Sequence, residues 1–210
     1  MKDRIAAVCQ SLGLAASPAQ VDALAQYLDL LLRWNRTYNL TSIRDADEAL
    51  TLHLADCLAV VAPLSRVSAA GRLLEVGRGG GLPGVVLAVM LPGWDVTCCD
   101  TVGKKAAFVT QVAGALRLPN LHGEHARVEQ LKRPPFDVIT SRAFASLADF
   151  TRLTQALLAP GGRWLAMKGK RPDDEIAALD PAIDVFHVEP LAVPGLDAER
   201  CIVWMAPKLR

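Results

Sequence analysis

The stretch LLEVGRGGGLPGVVLAV, residues 73–89, constrains this chain more than any other. An apolar run holding one acid, Glu75, breaks into four glycines, Gly77, Gly79, Gly80 and Gly81, with Arg78 among them. Leu82, Pro83 and Gly84 follow, and then a second apolar run. The order is strand, side-chain-poor loop, helix. In an open α/β sheet, ligands bind beyond the carboxyl ends of the strands. Glycine there lets the loop take positive φ and lets a ligand touch backbone. A nucleotide-like ligand is the first hypothesis.

The rest of the sequence supports such a sheet. After Gly71, the apolar runs RLLEVG, WDVTCCD, NLHGEHA, FDVITS and RWLAMK alternate with helical patterns. That alternation predicts a parallel sheet covered on both faces. DVFHVEPLAV and ERCIVWMA, joined by PGLDA, predict an antiparallel hairpin that finishes it. Ahead of the sheet the pattern is helical. A short helix spans residues 1–12. Ser17, Pro18 and Gln20 open a second with a capping box. Its apolar stripe is Leu24, Tyr27, Leu28, Leu31 and Leu32. Asp45 with Glu48 opens a third, running through Leu64. The expected organisation is a helical cap over residues 1–70 and a sheet domain over 71–210, packed as one globular unit.

Composition excludes several classes. The chain is 51% apolar over 210 residues, enough for a real core. Its uninterrupted apolar stretches are too short to cross a bilayer, and the N-terminus lacks a signal-peptide pattern. A cytoplasmic protein without a membrane partner is expected, and a monomer. The five cysteines are odd in number and contain no C-x-x-C. Adjacent Cys98 and Cys99 point to opposite faces of a strand. Buried thiols are expected, with neither metal nor disulfide. The net charge of +1 excludes a uniformly basic binder but permits a local basic cluster.

Gly79, Gly81 and Gly84 satisfy G-x-G-x-x-G, a weak dinucleotide signal by itself. With Glu75 the loop also reads E-x-G-x-G-x-G, which resembles the first motif of S-adenosylmethionine-dependent methyltransferases. Asp100, at the end of the second strand, suits the hydroxyls of a ribose; it equally suits capping the helix at Gly103. Three features weigh against a dehydrogenase. Neither Tyr27 nor Tyr38 begins a Y-x-x-x-K pair, no second domain remains to hold a hydride acceptor, and the hairpin suits a methyltransferase sheet.

Seven blocks then fall in order: WNRTYNLTSIRD (34–45), the H-x-x-D of His53 and Asp56, EVGRGGGLPG (75–84), DTVGKKAAFV (100–109), ARVEQL (126–131), SRAFASL (141–147) and MKGKRPDDEI (167–176). Together they resemble the RsmG family, also called GidB, over nearly the whole chain. The resemblance implies a Rossmann-like methyltransferase sheet, S-adenosylmethionine as cofactor, and methylation of guanine N7 in the 530 loop of 16S ribosomal RNA, as free RNA or in the small ribosomal subunit. Guanine N7 presents a lone pair and carries no proton, so no general base is expected. The fourth strand runs into SRAF rather than the [DN]-P-P-[YF] of many amine methylases.

The resemblance implies cofactor contacts from Gly77, Gly79, Gly81, Leu82, Asp100, Val128 and Glu129, with Arg142 between cofactor and RNA. Alone, Glu129 reads as a solvated acid at a helix start and Arg142 as a surface ion pair. Lys104, Lys105, Arg127, Arg142, Lys168, Lys170 and Arg171 all follow strand ends and would crowd one edge of the sheet, where they could hold phosphate. Asn39 and His53 belong to family blocks in the cap and are assigned to RNA. Arg78 departs from the small residue usual between the glycines. It is the only support for a second reading, a non-catalytic RNA-binding or assembly protein with a decayed cofactor site. A third reading, a methyltransferase for a small molecule or protein, would need no basic rim.

Overall fold

The computed structural model describes residues 1–77, 79–142, 144 and 146–208. Helix α1 (Lys2–Ser11) leads into α2 (Pro18–Tyr38). The start of α2 is the expected capping box: Ser17 Oγ accepts from the Gln20 N–H, and the Gln20 side chain accepts from the Ser17 N–H. Its end is Asn39, left-handed at φ 51°, a conformation asparagine tolerates. Asp45 caps the next helical run by accepting from the Asp47 and Glu48 N–H groups.

That run departs from a plain α-helix. α3 (Ala46–Ala49) passes into a π-helical turn, Leu50–Ala55, then α4 (Asp56–Leu58) and α5 (Val61–Ser65). Such turns gather at functional sites, and this one carries His53. The run Ala46–Ser65 is also long and apolar enough to cross a bilayer, which counting uninterrupted apolar stretches misses. Most of it is buried inside the protein against α1 and α2, so it serves as a core helix.

Seven strands follow: β1 (Gly71–Val76), β2 (Trp94–Asp100), β3 (Leu121–His125), β4 (Phe136–Ser141), β5 (Leu158–Lys168), β6 (Ile183–Pro190) and β7 (Cys201–Pro207). Their spatial order is β3-β2-β1-β4-β5-β7-β6. The first five are parallel; β7 enters antiparallel between β5 and β6. All seven runs read as strands are strands. Helix α6 (Gly84–Met90) follows β1, α7 (Gly103–Ala115) follows β2 and α8 (Leu147–Thr154) follows β4. Helix α9 (Asp173–Ala177) has no counterpart in the sequence reading. It is a short segment whose first turn carries Asp173, Asp174 and Glu175, the charge a helix N-terminus favours.

The strands bury alternate residues on two faces. Leu73, Val96, Val138 and Leu165 join one core with the cap, α6 and α7. Leu74, Cys99, Ile139 and Trp164 join the other with α8. Cys98 and Cys99 divide between the two, as expected, and all five cysteines are free and buried. α6 is buried at every position because it lies between the cap and β1–β2. α2 seats on α7 through Trp34 and Phe108, whose ring centroids are 5.4 Å apart. The carboxyl ends of β1–β5 and the cap therefore meet around the glycine loop.

Candidate active site

The loop between β1 and α6 excludes side chains for two reasons. A Cβ on Gly80 would lie 2.5 Å from Leu31 Cδ1, and the Tyr27 hydroxyl donates to the Gly80 carbonyl at 2.7 Å. Both partners lie on α2. Gly81, at φ 73°, would press Val109 and Val85 at 2.8 and 2.9 Å, and Gly84 would meet Cys98 Sγ at 2.4 Å. These three glycines make room for the protein itself, which corrects the expectation that the loop is bare only for a ligand. Gly77 lines a cavity, and its Cβ would fall 1.9 Å from Glu75 Oε1.

That first cavity, about 220 Å³, opens at the carboxyl ends of β1, β2 and β3. Val76, Cys99, Val128, Phe144 and Leu153 give it apolar walls, and Asp100 and Glu129 supply carboxylates. Asp100 Oδ1 accepts from the Val102 N–H at 2.8 Å, turning the chain into α7. Its Oδ2 accepts from the Gly79 N–H at 3.3 Å. Capping and loop binding thus coexist on one carboxylate. With roughly four acceptor positions, it retains capacity for two ribose hydroxyls. An apolar slot ending in a carboxylate fits an adenosine.

Below the loop, Glu75 is buried, and its Oε1 has no hydrogen-bond partner among the described residues. Burial, with Asp100 nearby, pushes its carboxyl up to about 8. The protonated form therefore predominates at neutral pH.

On the other side of the loop lies a second cavity of about 500 Å³, between the cap and the sheet edge. Gly79, Gly80 and Leu82 form one wall; Asn39, Thr41, Ser42, Arg44, His53 and Arg142 supply polar groups, and Leu31 and Leu40 apolar ones. Asn35 shapes it: its side chain accepts from the Thr41 N–H at 2.9 Å and donates to the Ile43 carbonyl at 2.8 Å. Arg142, just past β4, donates to the Leu52 carbonyl at 2.9 Å, to Asp56 at 3.3 Å and to His53 Nδ1 at 3.2 Å. His53 Nδ1 thus lies 3.2 Å from a guanidinium that can only donate and 3.2 Å from the Leu52 carbonyl that can only accept. Nε2 meets Thr41 Oγ1 at 2.7 Å. Burial, with Arg142 beside it, pulls His53 down to about 4, so it is neutral. Asp56, almost wholly buried, also accepts from Arg200 at 2.9 Å. One carboxylate thus ties the π-turn to the ends of β4 and β7.

The structure distributes the expected residues unevenly. Gly77, Asp100, Val128 and Glu129 meet in the first cavity, joined by Arg127, which was assigned to the RNA rim. Gly79, Leu82, Arg142, Asn39 and His53 meet in the second. Gly81 lines neither. Lys104, Lys105 and Lys170 carry no ion pair among the described residues. Lys168 does: Glu175, brought in by α9, accepts from it at 2.9 and 2.8 Å. A lysine expected to face phosphate is instead held by the protein. Arg171 pairs with Asp173 at 2.6 Å in the open. Arg78 lies outside the described residues. Sequence reasoning missed Phe144, Tyr27 and Arg200 and gave Asp56 no role. Phe144 and Asp56 lie in family blocks, and the i, i+3 spacing of His53 and Asp56 shares a helix face; Tyr27 and Arg200 lie outside every block.

The 3-2-1-4-5-7-6 sheet carries an apolar slot ending in a carboxylate over β1 and β2, and the family to which the chain belongs makes it an S-adenosylmethionine-dependent methyltransferase. The chain belongs to the GidB family, rRNA small subunit methyltransferase G, whose model matches residues 20–203. Ribosomal RNA small subunit methyltransferase G of Leptothrix cholodnii is 61% identical over 209 residues, covering 99% of this chain and 96% of that protein. Its counterpart in Acidovorax ebreus is 58% identical over 207 residues, covering 94% and 91%. Among solved structures, the O-methyltransferase from Bacillus cereus in complex with SAH superposes with a TM-score of 0.56 at 18% identity, covering 87% of this chain and 91% of that one. TrmN from Thermus thermophilus does so at 0.56 and 22%, covering 72% and 48%. These two share the fold.

Proposed function

We propose that this chain transfers a methyl group from S-adenosylmethionine to N7 of a guanine in the 530 loop of 16S ribosomal RNA. The cofactor supplies a methyl group activated by a positive sulfonium. In this reading Asp100 accepts from the ribose hydroxyls, while Val76, Val128 and Phe144 exclude water from the base. Gly77 leaves the backbone bare beside them. Gly79, Leu82 and Arg142 border the path from that slot to the second cavity, which takes the guanine. Residues 1–70 act as the cap that closes it, and the enzyme works in the cytoplasm on RNA or the small subunit.

The observation that carries the N7 assignment is the lack of a proton acceptor. The second cavity has no carboxylate among its described walls. His53 has both ring nitrogens engaged, and Asp56 is shared by two arginines. A target with a proton to lose would be poorly served here. Guanine N7 needs only to be held in line with the methyl group. Mass mapping of modified guanosines in 16S RNA from cells with and without this protein tests the proposal. Loss of one 7-methylguanosine in the 530 loop is the expected result; an unchanged map would overturn it.

A further inference from the structure

The second cavity does not end at Arg142. His53 and Arg142 are also walls of a third cavity of about 390 Å³, bounded by Lys168, Gly169 and Arg200. Gly169 and Arg200 in turn are walls of a fourth, about 480 Å³, between the loop after β5 and the tip of the β6–β7 hairpin. The three share walls in sequence and form one trough along the carboxyl edge of the sheet. Its charge is lopsided. Arg44, Arg142, Lys168, Arg200, Lys170 and Arg171 line it, against two lining carboxylates, Asp56 and Glu199, and two more, Glu175 and Asp173, that pair with Lys168 and Arg171. The whole chain carries a net charge of only +1.

The far end has a composition of its own. Lys170 and Arg171 stand exposed above a floor of Val188, Pro190 and Leu191. Lys170 has no ion pair among the described residues, and the Arg171–Asp173 pair is open to water, where such pairs are weak. Cations over an apolar floor suit a nucleotide, phosphate outward and base inward. Resting on the RNA-methyltransferase reading above, we infer that this fourth cavity is a second nucleotide subsite. It holds a residue of the substrate strand that flanks the target guanine on one side, and the trough is the path between them.

The double variant Lys170→Ala/Arg171→Ala tests this, since both side chains are exposed and outside the core. The probe is a fluorescent 16S fragment containing the 530 loop, with versions trimmed on the 5′ or the 3′ side of the target. Binding is read by anisotropy across a salt series, and methyl transfer in parallel. The variant should bind the untrimmed RNA at least about fivefold more weakly, with a salt slope lower by about 1.4, the value for two single-strand phosphates. The loss should appear as a raised KM. Trimming one side, and only that side, should make wild type and variant equal. Equal affinities and slopes on untrimmed RNA would overturn the subsite, as would a deficit that survives both trims. Methyl transfer by the wild type reads the parent proposal separately: a wild type that binds but does not methylate would sink that proposal, while the binding ratio still decides the subsite.

Discussion

The two cavities flanking the glycine loop are built differently. The first is made mostly at strand ends: backbone, apolar side chains closed over by Phe144 and Leu153, and a carboxylate, Asp100, fixed by two N–H groups. The second has Arg142, His53 and Thr41 among its walls, tied to one another and, through Asp56 just beyond, to Arg200. A cofactor of constant shape suits the rigid side. The polar side has its geometry set by a buried ionic cluster, and its placement depends on every member being present. Damage should therefore spread on the cap side and stay local on the cofactor side.

The largest test removes the hub. Asp56→Ala leaves two guanidinium groups without their shared, buried acceptor and should cost about 3–5 kcal/mol of stability in denaturant unfolding. A loss no larger than that of a surface acid would mean the cluster is ornamental.

Next is the buried acid under the loop. A carboxyl raised from 4.5 to about 8 contributes stability below its unfolded value and loses it as pH rises through the folded one. Wild type should lose about 2–4 kcal/mol between those two pH values through Glu75, and Glu75→Gln should remove that slope. His53, lowered to about 4, acts in the opposite sense, with stability lost as pH falls from 6.5. A Gln variant with the wild-type slope would place the titration elsewhere.

On the cofactor side, Asp100→Ala should weaken S-adenosylmethionine binding by one to two charge-assisted hydrogen bonds, about 1.5–3 kcal/mol each, in calorimetry. RNA affinity should hold. If both fall together, the two cavities are not independent.

The smallest effect belongs to Lys105→Ala, at the start of α7. It should lower the salt slope of RNA binding by about 0.7, with cofactor affinity kept. Lys168→Ala gives the contrast: it also frees Glu175, whose Oε2 accepts from the Leu147 N–H at 2.8 Å, and should loosen α8 as well. Equal melting temperatures for the two variants would erase that distinction.

The sheet was legible because each strand carries its own signal, a short apolar run bounded by turn residues; β1, β2 and β4 are largely buried on both faces. The glycine loop was legible as a loop, but its reason was only half visible. Leu31 and Tyr27, which crowd Gly80, lie about fifty positions upstream, and no local pattern joins them. The same holds for Asp56, whose arginines are 86 and 144 positions away. Lys168 was misjudged because the helix bearing its partner, only five residues long, is too short to show a period.

The π-turn at Leu50–Ala55 lets the helical run hold one residue more than an α-helix would over the same rotation, because it closes i→i+5 rather than i→i+4 bonds. Deleting one residue within 50–55 would let the run relax to ordinary α-geometry without breaking it. The faces before and after would stay in step, so α3 would keep its cap at Asp45 and Asp56 would still face both arginines. What would move is the widened turn itself, which carries His53 into the second cavity. The extra residue thus acts as a local bulge, and a deletion there would separate the placing of His53 from the placing of Asp56, which no alanine substitution can do.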